Sequence, residues 1–138
     1  MDFDWTAEDA AFREELRAFL RDELPAWFRG YASENGGHSK DEAFAATLDV
    51  AGKMAERGWL TQHWPRDWGG EDATIWQQIV LREVMTEYSE PRGPQYMSAN
   101  WVGPAIMLYG SEEQRREYLP RIAAGRSCWA QGFSEPDA

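Results

Sequence analysis

The residues of this 138-residue chain that could perform catalysis or bind metals form none of the usual catalytic or metal-binding patterns. The two histidines, His38 and His63, have no second ligand at the spacing that zinc sites use, so no metal site is predicted. The single cysteine, Cys128, is either a nucleophile or a small buried apolar residue, and it cannot form an internal disulfide. No glycine-rich phosphate-binding loop follows a predicted strand. These residues alone leave the function open.

The charge of the chain excludes several classes of partner. The chain has 14 basic and 24 acidic residues, which gives a formal net charge of −10. Nucleic acids and anionic membrane surfaces require a basic face, so neither is a predicted partner. No apolar run approaches the roughly 20 residues that span a bilayer, and Met1–Asp4 lacks the features of a signal peptide. With one cysteine and 43% hydrophobic residues, a single, folded, cytoplasmic domain is expected.

Amphipathic helices are the elements that the apolar spacing predicts. Residues recur at intervals of three and four over 6–24, 39–58 and 74–88, so that each segment has one apolar face. Thr6 is a predicted N-cap, and Ser39 begins a capping box with an acidic residue three positions later. The chain therefore begins with three helices that can pack through their apolar faces.

The second half of the chain predicts a different arrangement. Residues 95–109 are apolar on nearly all sides, so this helix is expected to be the most buried, with a kink or break at Gly103–Pro104. A capping box at Ser111 begins a short helix, and residues 127–133 have the pattern of a strand. The predicted fold class is all-α, a bundle of five to six helices with a short C-terminal strand. The predicted core comprises Phe12, Leu16, Leu48, Ile79, Val84, Ile106 and Leu108.

Two segments resemble a known family. Gly58–Leu60 followed by Pro65–Gly70 is similar to a loop with the pattern G-hydrophobe … P-x-x-x-G-G, and Gly110–Pro120, continued by Ile122 and Gly125, is similar to a stretch ending in Y-L-P-x-I-x-x-G. Both patterns occur, in this order, in the N-terminal domain of the acyl-CoA dehydrogenase family. The resemblance therefore predicts that fold for this chain.

The resemblance also divides the chain. Residues 1–126 correspond to the helical N-terminal domain, and 127–138 correspond to the first strand and incomplete start of the middle β-domain. Gln131–Ala138 is similar to the family's x-x-[TS]-E-P-x-A stretch, which the family continues with G-S-D. The chain is accordingly expected to be a truncated N-terminal portion of the enzyme. The family's catalytic glutamate lies in the C-terminal domain, so no catalytic residue is assigned here.

The activity implied by the resemblance is the FAD-dependent oxidation of an acyl-CoA thioester to the α,β-enoyl-CoA, with electron-transfer flavoprotein as the electron acceptor. The implied cofactor-binding residues are Gln131, Gly132, Phe133 and Ser134, where Ser134 replaces a more frequent threonine. A cofactor-free helical interaction module, which kept the fold and lost the activity, is the alternative.

The resemblance places Met97 and Trp101 in the region that lines the acyl cavity, although both could instead be core residues. The chain alone is expected neither to retain FAD nor to turn over an acyl-CoA. An exposed strand at 127–133 would have an unpaired edge, which predicts a homo-oligomer or self-association through that strand.

Overall fold

The computed structural model describes residues 4–30 and 35–132 and confirms the all-α fold class. Within this part of the chain the only β-pairing is an isolated bridge between Asn35 and His38, and no helix is long and apolar enough to cross a bilayer. The helices follow one another as α1 (Ala7–Glu23), α2 (Lys40–Glu56), α3 (Ile75–Glu87), α4 (Pro94–Met97), a π-helical turn (Ser98–Val102), α5 (Gly103–Tyr109) and α6 (Glu112–Ala123).

Capping boxes fix the N-termini of the four long helices. Thr6, Ser39, Thr74 and Ser111 each accept a hydrogen bond from the backbone N–H three residues later, and the side chain at that position returns a bond to the N-cap backbone. Each capping box provides acceptors for two backbone N–H groups at the helix N-terminus that would otherwise lack a helical partner. The helix starts predicted from these local patterns are therefore confirmed.

The main hydrophobic core lies among α1, α2 and α3. Fully buried side chains from all three helices meet there, including Leu16, Leu20, Val50, Met54, Val80 and Val84. Two predicted core residues, Leu16 and Val84, are completely buried, whereas Phe12, Leu48 and Ile79 are half-buried. The apolar faces predicted for the first three helices thus pack against one another.

The prediction that 95–109 is the most buried helix is wrong. Leu108 is 70% exposed, Tyr109 is 87% exposed and Trp101 is 49% exposed, while Ile106 is half-buried. Helix α6 packs against α5 and the π-helical turn, and α2 packs against α4, but these described elements cover only one side. The apolar side chains on the other side therefore lie at the surface, where they form what we call the α5 face (Trp101, Leu108 and Tyr109).

The predicted strand at 127–133 is absent from its described part. Residues 127–132 have no regular secondary structure, and Phe133 lies outside the described residues. A strand requires backbone hydrogen bonds from a neighbouring strand. Here the Ser98 side chain takes that place: its Oγ donates to Ser127 O at 3.2 Å and accepts from Trp129 N at 3.3 Å. The segment is consequently held against the π-helical turn.

Candidate functional site

The two predicted acyl-pocket residues lie on one interrupted helix. Met97 ends α4 and is half-buried, and Trp101 lies on the π-helical turn with about half of its side chain exposed. The Trp101 ring meets Tyr96 edge-on, with 6.3 Å between ring centroids. Ser98 and Ala99, between them in sequence, face the interior and are buried. The turn thus separates a buried side from a side available to a ligand.

The π-helical geometry follows from Gly103 and Pro104. The Gly103 N–H donates to Ser98 O, five residues back, instead of to Ala99 O. Pro104 has no N–H, so it cannot serve Ala99 O as the next donor would. A tryptophan from a distant loop supplies the bond, since Trp64 Nε1 donates to Ala99 O at 2.8 Å. The chain does not break at Gly103–Pro104, because Val102 and Gly103 keep right-handed helical dihedrals. The irregularity is a π-turn that ends at Val102, a feature frequent at functional sites.

The glycine-containing loop before α3 holds Trp64 in place. Trp64 is 1% exposed; its N–H donates to Thr61 O at 2.8 Å and its carbonyl accepts from Asp72 N at 3.0 Å. Gly69 has a φ of +86°, and a Cβ added at Gly70 would overlap the Trp64 carbonyl. The paired glycines of the P-x-x-x-G-G pattern therefore allow the backbone to fold tightly over Trp64.

A cavity of about 110 Å³ with both apolar and polar lining residues lies beside the π-helical turn, between α3 and α4. Arg92, which is buried, binds the Glu90 carboxylate through Nε at 2.6 Å and Nη2 at 2.8 Å. Its guanidinium lies 4.9 Å from the centroid of the Tyr96 ring. The Arg82 Nη2 donates to Tyr96 Oη at 3.1 Å, and Asn100 also lines the space. The charge of Arg92 is thus balanced within the fold.

His63 lines the same cavity, and its surroundings favour the neutral imidazole. Burial, followed by the positive charge of Arg92, lowers the pKa of His63 below its usual 6.5, although a hydrogen bond with the Ala99 backbone opposes the shift. The ring of the other histidine, His38, stacks on that of Trp27 with 4.1 Å between the ring centroids. The His38 Nδ1 lies 3.2 Å from Glu42 Oε1. Neither histidine is therefore arranged as a metal ligand with the other.

The described part of the predicted flavin-contacting stretch is exposed. Gln131 and Gly132 are both exposed, and a Cβ added at Gly132 would meet nothing within 4 Å. Phe133 and Ser134 lie outside the described residues. Ser98, on the turn that carries Trp101, bonds to Ser127 and Trp129. The exposed Gln131 and Gly132 come two and three residues after Trp129. The predicted flavin-contacting stretch and the predicted acyl-pocket residues therefore lie on neighbouring segments of the structure.

Cys128, considered above as a small buried residue or a nucleophile, is exposed. Its Sγ lies 3.3 Å from Gln95 Nε2, a side chain that is itself buried. The expectation that Cys128 is buried is therefore wrong. Trp64 and Arg92, which contact the turn and the cavity in the structure, were not predicted from the sequence. For Trp64, the available signal in the sequence was its place directly before Pro65, the first residue of the P-x-x-x-G-G pattern.

Comparison with known proteins gives the following sequence matches. The family described as "Acyl-CoA dehydrogenase, N-terminal domain" matches residues 6–126. Among curated proteins, the acyl-CoA dehydrogenase FadE26 of Mycobacterium tuberculosis is 30% identical over 139 residues, covering 100% of this chain and 34% of FadE26. The acyl-CoA dehydrogenase IpdE1 of the same organism is 28% identical over 127 residues, covering 92% of this chain and 33% of IpdE1.

Solved structures give the same result. The ChsE4–ChsE5 complex from Mycobacterium tuberculosis matches with a TM-score of 0.79 and 29% identity, covering 100% of this chain and 33% of that one. The Tcur3481–Tcur3483 steroid ACAD matches with a TM-score of 0.79 and 31% identity, covering 100% of this chain and 34% of the other. This chain therefore spans about a third of the length of the proteins that it matches.

Proposed function

The chain belongs to the acyl-CoA dehydrogenase family, and we propose that it forms the N-terminal portion of an FAD-dependent enzyme that oxidises an acyl-CoA thioester to the α,β-enoyl-CoA. In that reaction the acidic α-proton is removed by a base, and FAD, when bound, accepts the β-hydrogen as hydride. No residue of this chain is assigned as the base. Its proposed role is to supply part of the wall around the acyl group and the flavin.

The observation that supports this role best is the docking of residues 127–129 on the π-helical turn. The Ser98 hydroxyl bonds to both Ser127 O and Trp129 N, and the same turn carries the half-exposed Trp101. Gln131 and Gly132 then follow with open space around them. An exposed, side-chain-free glycine lets a flat ring approach the backbone closely. A flavin-contacting segment therefore fits beside an acyl-contacting turn, with Met97 and Trp101 as the proposed pocket residues.

The substrate to test first is a steroid-bearing acyl thioester. Two similar solved structures, at 31% identity, are described as forms of a steroid ACAD. A wide aromatic side chain such as Trp101 offers a large apolar surface to a fused-ring group. A straight-chain acyl-CoA of similar carbon number is the natural comparison substrate, because it shares the thioester and lacks the rings.

Electron-transfer flavoprotein as acceptor and assembly into an oligomer are further parts of the proposal. The similar ChsE4–ChsE5 and Tcur3481–Tcur3483 structures each combine two components, which supports assembly. The exposed α5 face provides apolar area that assembly could bury, whereas the described residues 127–132 form no strand edge. The earlier expectation of association through a C-terminal strand is therefore replaced by association through packed apolar surfaces.

The experiment that tests the function compares the protein extended to the length of its relatives with the 138-residue chain. The visible spectrum after gel filtration reports bound flavin, and dye reduction reports turnover of steroid-bearing and straight-chain acyl-CoAs. The extended protein is expected to carry a flavin band and to reduce the dye. A folded, extended protein without flavin and without turnover would contradict the enzyme and favour the cofactor-free interaction module, for which the exposed α5 face is the specific support.

The 138-residue chain is the control, and it is expected to bind no flavin. Immobilising a large dinucleotide costs roughly 4–15 kcal/mol. The few hydrogen bonds available from residues 131–134 would contribute about 0.5–1.5 kcal/mol each, which is too little. A stoichiometric flavin band on this chain would show that it completes the site with other copies of itself.

A further inference from the structure

The π-helical turn has one carbonyl that its own helix does not satisfy. In an α-helix Ala99 O would accept from the N–H of Gly103, and in a π-helix from the N–H of residue 104. Gly103 N donates to Ser98 O instead, and residue 104 is a proline. A buried carbonyl without a donor costs about 1–3 kcal/mol, so a partner outside the helix is needed. Ala99 is completely buried, which excludes bulk water from that role.

The His63 ring forms one hydrogen bond with the Ala99 backbone, and a second donor from outside the helix is Trp64. Its indole N–H donates to Ala99 O at 2.8 Å across 35 residues of sequence. A Cβ at Gly103 would overlap the six-membered ring of Trp64, so the glycine is needed for the ring to reach the carbonyl. The ring also belongs to a buried cluster with Leu119 and Ile122 of α6. The indole therefore contacts both the turn and the cluster that includes α6.

We propose that Trp64 is a positioning residue for the acyl pocket: its indole N–H supplies the hydrogen bond that Pro104 withholds from Ala99, and it thereby holds the π-helical turn that presents Met97 and Trp101. This inference rests on the proposed function for the identity of the pocket. Phenylalanine at position 64 would keep most of the ring packing and remove the donor. Gly103 N–H could then return to Ala99 O, which changes the register and rotates Met97 and Trp101 relative to α5.

The test uses four variants of the extended flavoprotein: Trp64→Phe, Trp68→Phe, Pro104→Ala and the Trp64→Phe/Pro104→Ala double variant. Trp68 is the matched control, because it packs against the same cluster as Trp64. Pro104→Ala restores a backbone N–H within the turn, so the Trp64 bond becomes dispensable. The readout is the ratio of kcat/KM for a steroid-bearing acyl-CoA to that for a short straight-chain acyl-CoA, with kcat and KM recorded separately.

Trp64→Phe is expected to change this ratio about fivefold or more through KM of the bulky substrate, with kcat for the short substrate within about twofold. Trp68→Phe is expected to leave the ratio within about twofold. In the Pro104→Ala background, Trp64→Phe is expected to have an effect within about twofold. A folded Trp64→Phe protein with an unchanged ratio would overturn the proposal. Equal effects of both tryptophan variants, or an effect undiminished by Pro104→Ala, would do the same.

Amide hydrogen exchange of the 138-residue chain tests the inference apart from the enzyme. If Trp64 holds the turn, Trp64→Phe moves the Gly103 N–H from Ser98 O to another acceptor and should change the exchange rate of that amide about tenfold or more, whereas Trp68→Phe should not. Absence of flavin or turnover in the wild-type extended protein would contradict the proposed function while leaving this exchange result informative. If Trp64→Phe does not fold, the double variant is compared with Pro104→Ala; failure of the double variant to fold would show that Trp64 acts only through packing and would overturn the inference.

Discussion

The α1–α3 core and the α4–α6 region use apolar residues in opposite ways. In the first, the apolar face of each helix is buried against the other two, and Leu20, Met54 and Val84 are completely inaccessible. In the second, α6 covers one side of α5, while Trp101, Leu108 and Tyr109 remain exposed on the α5 face. The helices of the first region bury their apolar faces, whereas the second region leaves part of its apolar surface exposed. The site proposed here lies in the second region.

This difference shows that apolar periodicity reports which residues avoid water but not what covers them. Monomeric proteins rarely expose large contiguous apolar patches, and those that occur mark places of interaction. The α5 face begins at Trp101, a proposed pocket residue, which supports contact with a substrate at one end and with further protein along the rest. The α1–α3 core therefore provides stability, and the α4–α6 region carries the proposed site.

The largest expected difference between the regions is in stability after truncation of a buried and an exposed side chain. Met54→Ala should lower the free energy of unfolding by about 2–5 kcal/mol, because it leaves a cavity in the core. Leu108→Ala should change it by no more than about 0.5 kcal/mol in the 138-residue chain. Urea unfolding followed by circular dichroism measures both. A cost for Leu108→Ala comparable to that for Met54→Ala would show that the α5 face is packed in solution.

Two helical glycines give a smaller effect of opposite sign. Gly103→Ala places a Cβ into the Trp64 ring and should lower the free energy of unfolding by about 1–3 kcal/mol. Gly52→Ala, in α2, meets nothing within 4 Å and should raise it by about 0.5–1 kcal/mol. Thermal unfolding of both variants checks the prediction. Equal and favourable effects would mean that Trp64 does not lie against Gly103.

The smallest effect concerns pH and the cavity beside the π-helical turn. Burial, with the charge of Arg92, lowers the pKa of His63 below 6.5. At a pH between the folded pKa and 6.5, the unfolded chain therefore protonates this imidazole while the folded protein keeps it neutral. The stability that His63 contributes is therefore present above pH 6.5 and is lost as the pH falls through the folded pKa. His63→Gln should flatten the decline in stability over that range. Parallel curves for wild type and variant would refute the assignment.

The features that could be predicted from the sequence depend on neighbouring residues in the chain. Thr6, Ser39 and Ser111 begin their helices as predicted, because a capping box involves only four consecutive positions. That the helix would be irregular near Gly103–Pro104 was predictable for the same reason, although the structure has a π-turn just before these residues and not a break. Local chemistry determined where these helices start and where one of them is interrupted.

The features that could not be predicted depend on distant contacts. The indole of Trp64 donates a hydrogen bond to Ala99 O of the π-helical turn, 35 residues later in the chain, and no spacing rule reveals that pair. Leu108 was expected in the core because its segment is apolar on nearly all sides, but the covering surface is not determined by the segment itself. Residues 127–132 were expected to form a strand and are held instead by the Ser98 side chain. The family resemblance predicted Met97 and Trp101 as pocket residues, whereas the hydrogen bond from Trp64 that we propose positions them required the structure.

The most direct test of the account compares Trp101→Ala with Trp76→Ala in the extended flavoprotein. Both tryptophans are about half exposed, at 49% and 46%, but only Trp101 lies on the π-helical turn. The measurement is kcat/KM for the steroid-bearing acyl-CoA relative to a short straight-chain acyl-CoA. Trp101→Ala is expected to change this ratio about tenfold or more, with Trp76→Ala within about twofold of wild type. Equal ratios for the two variants and the wild type would contradict a pocket built on the π-helical turn.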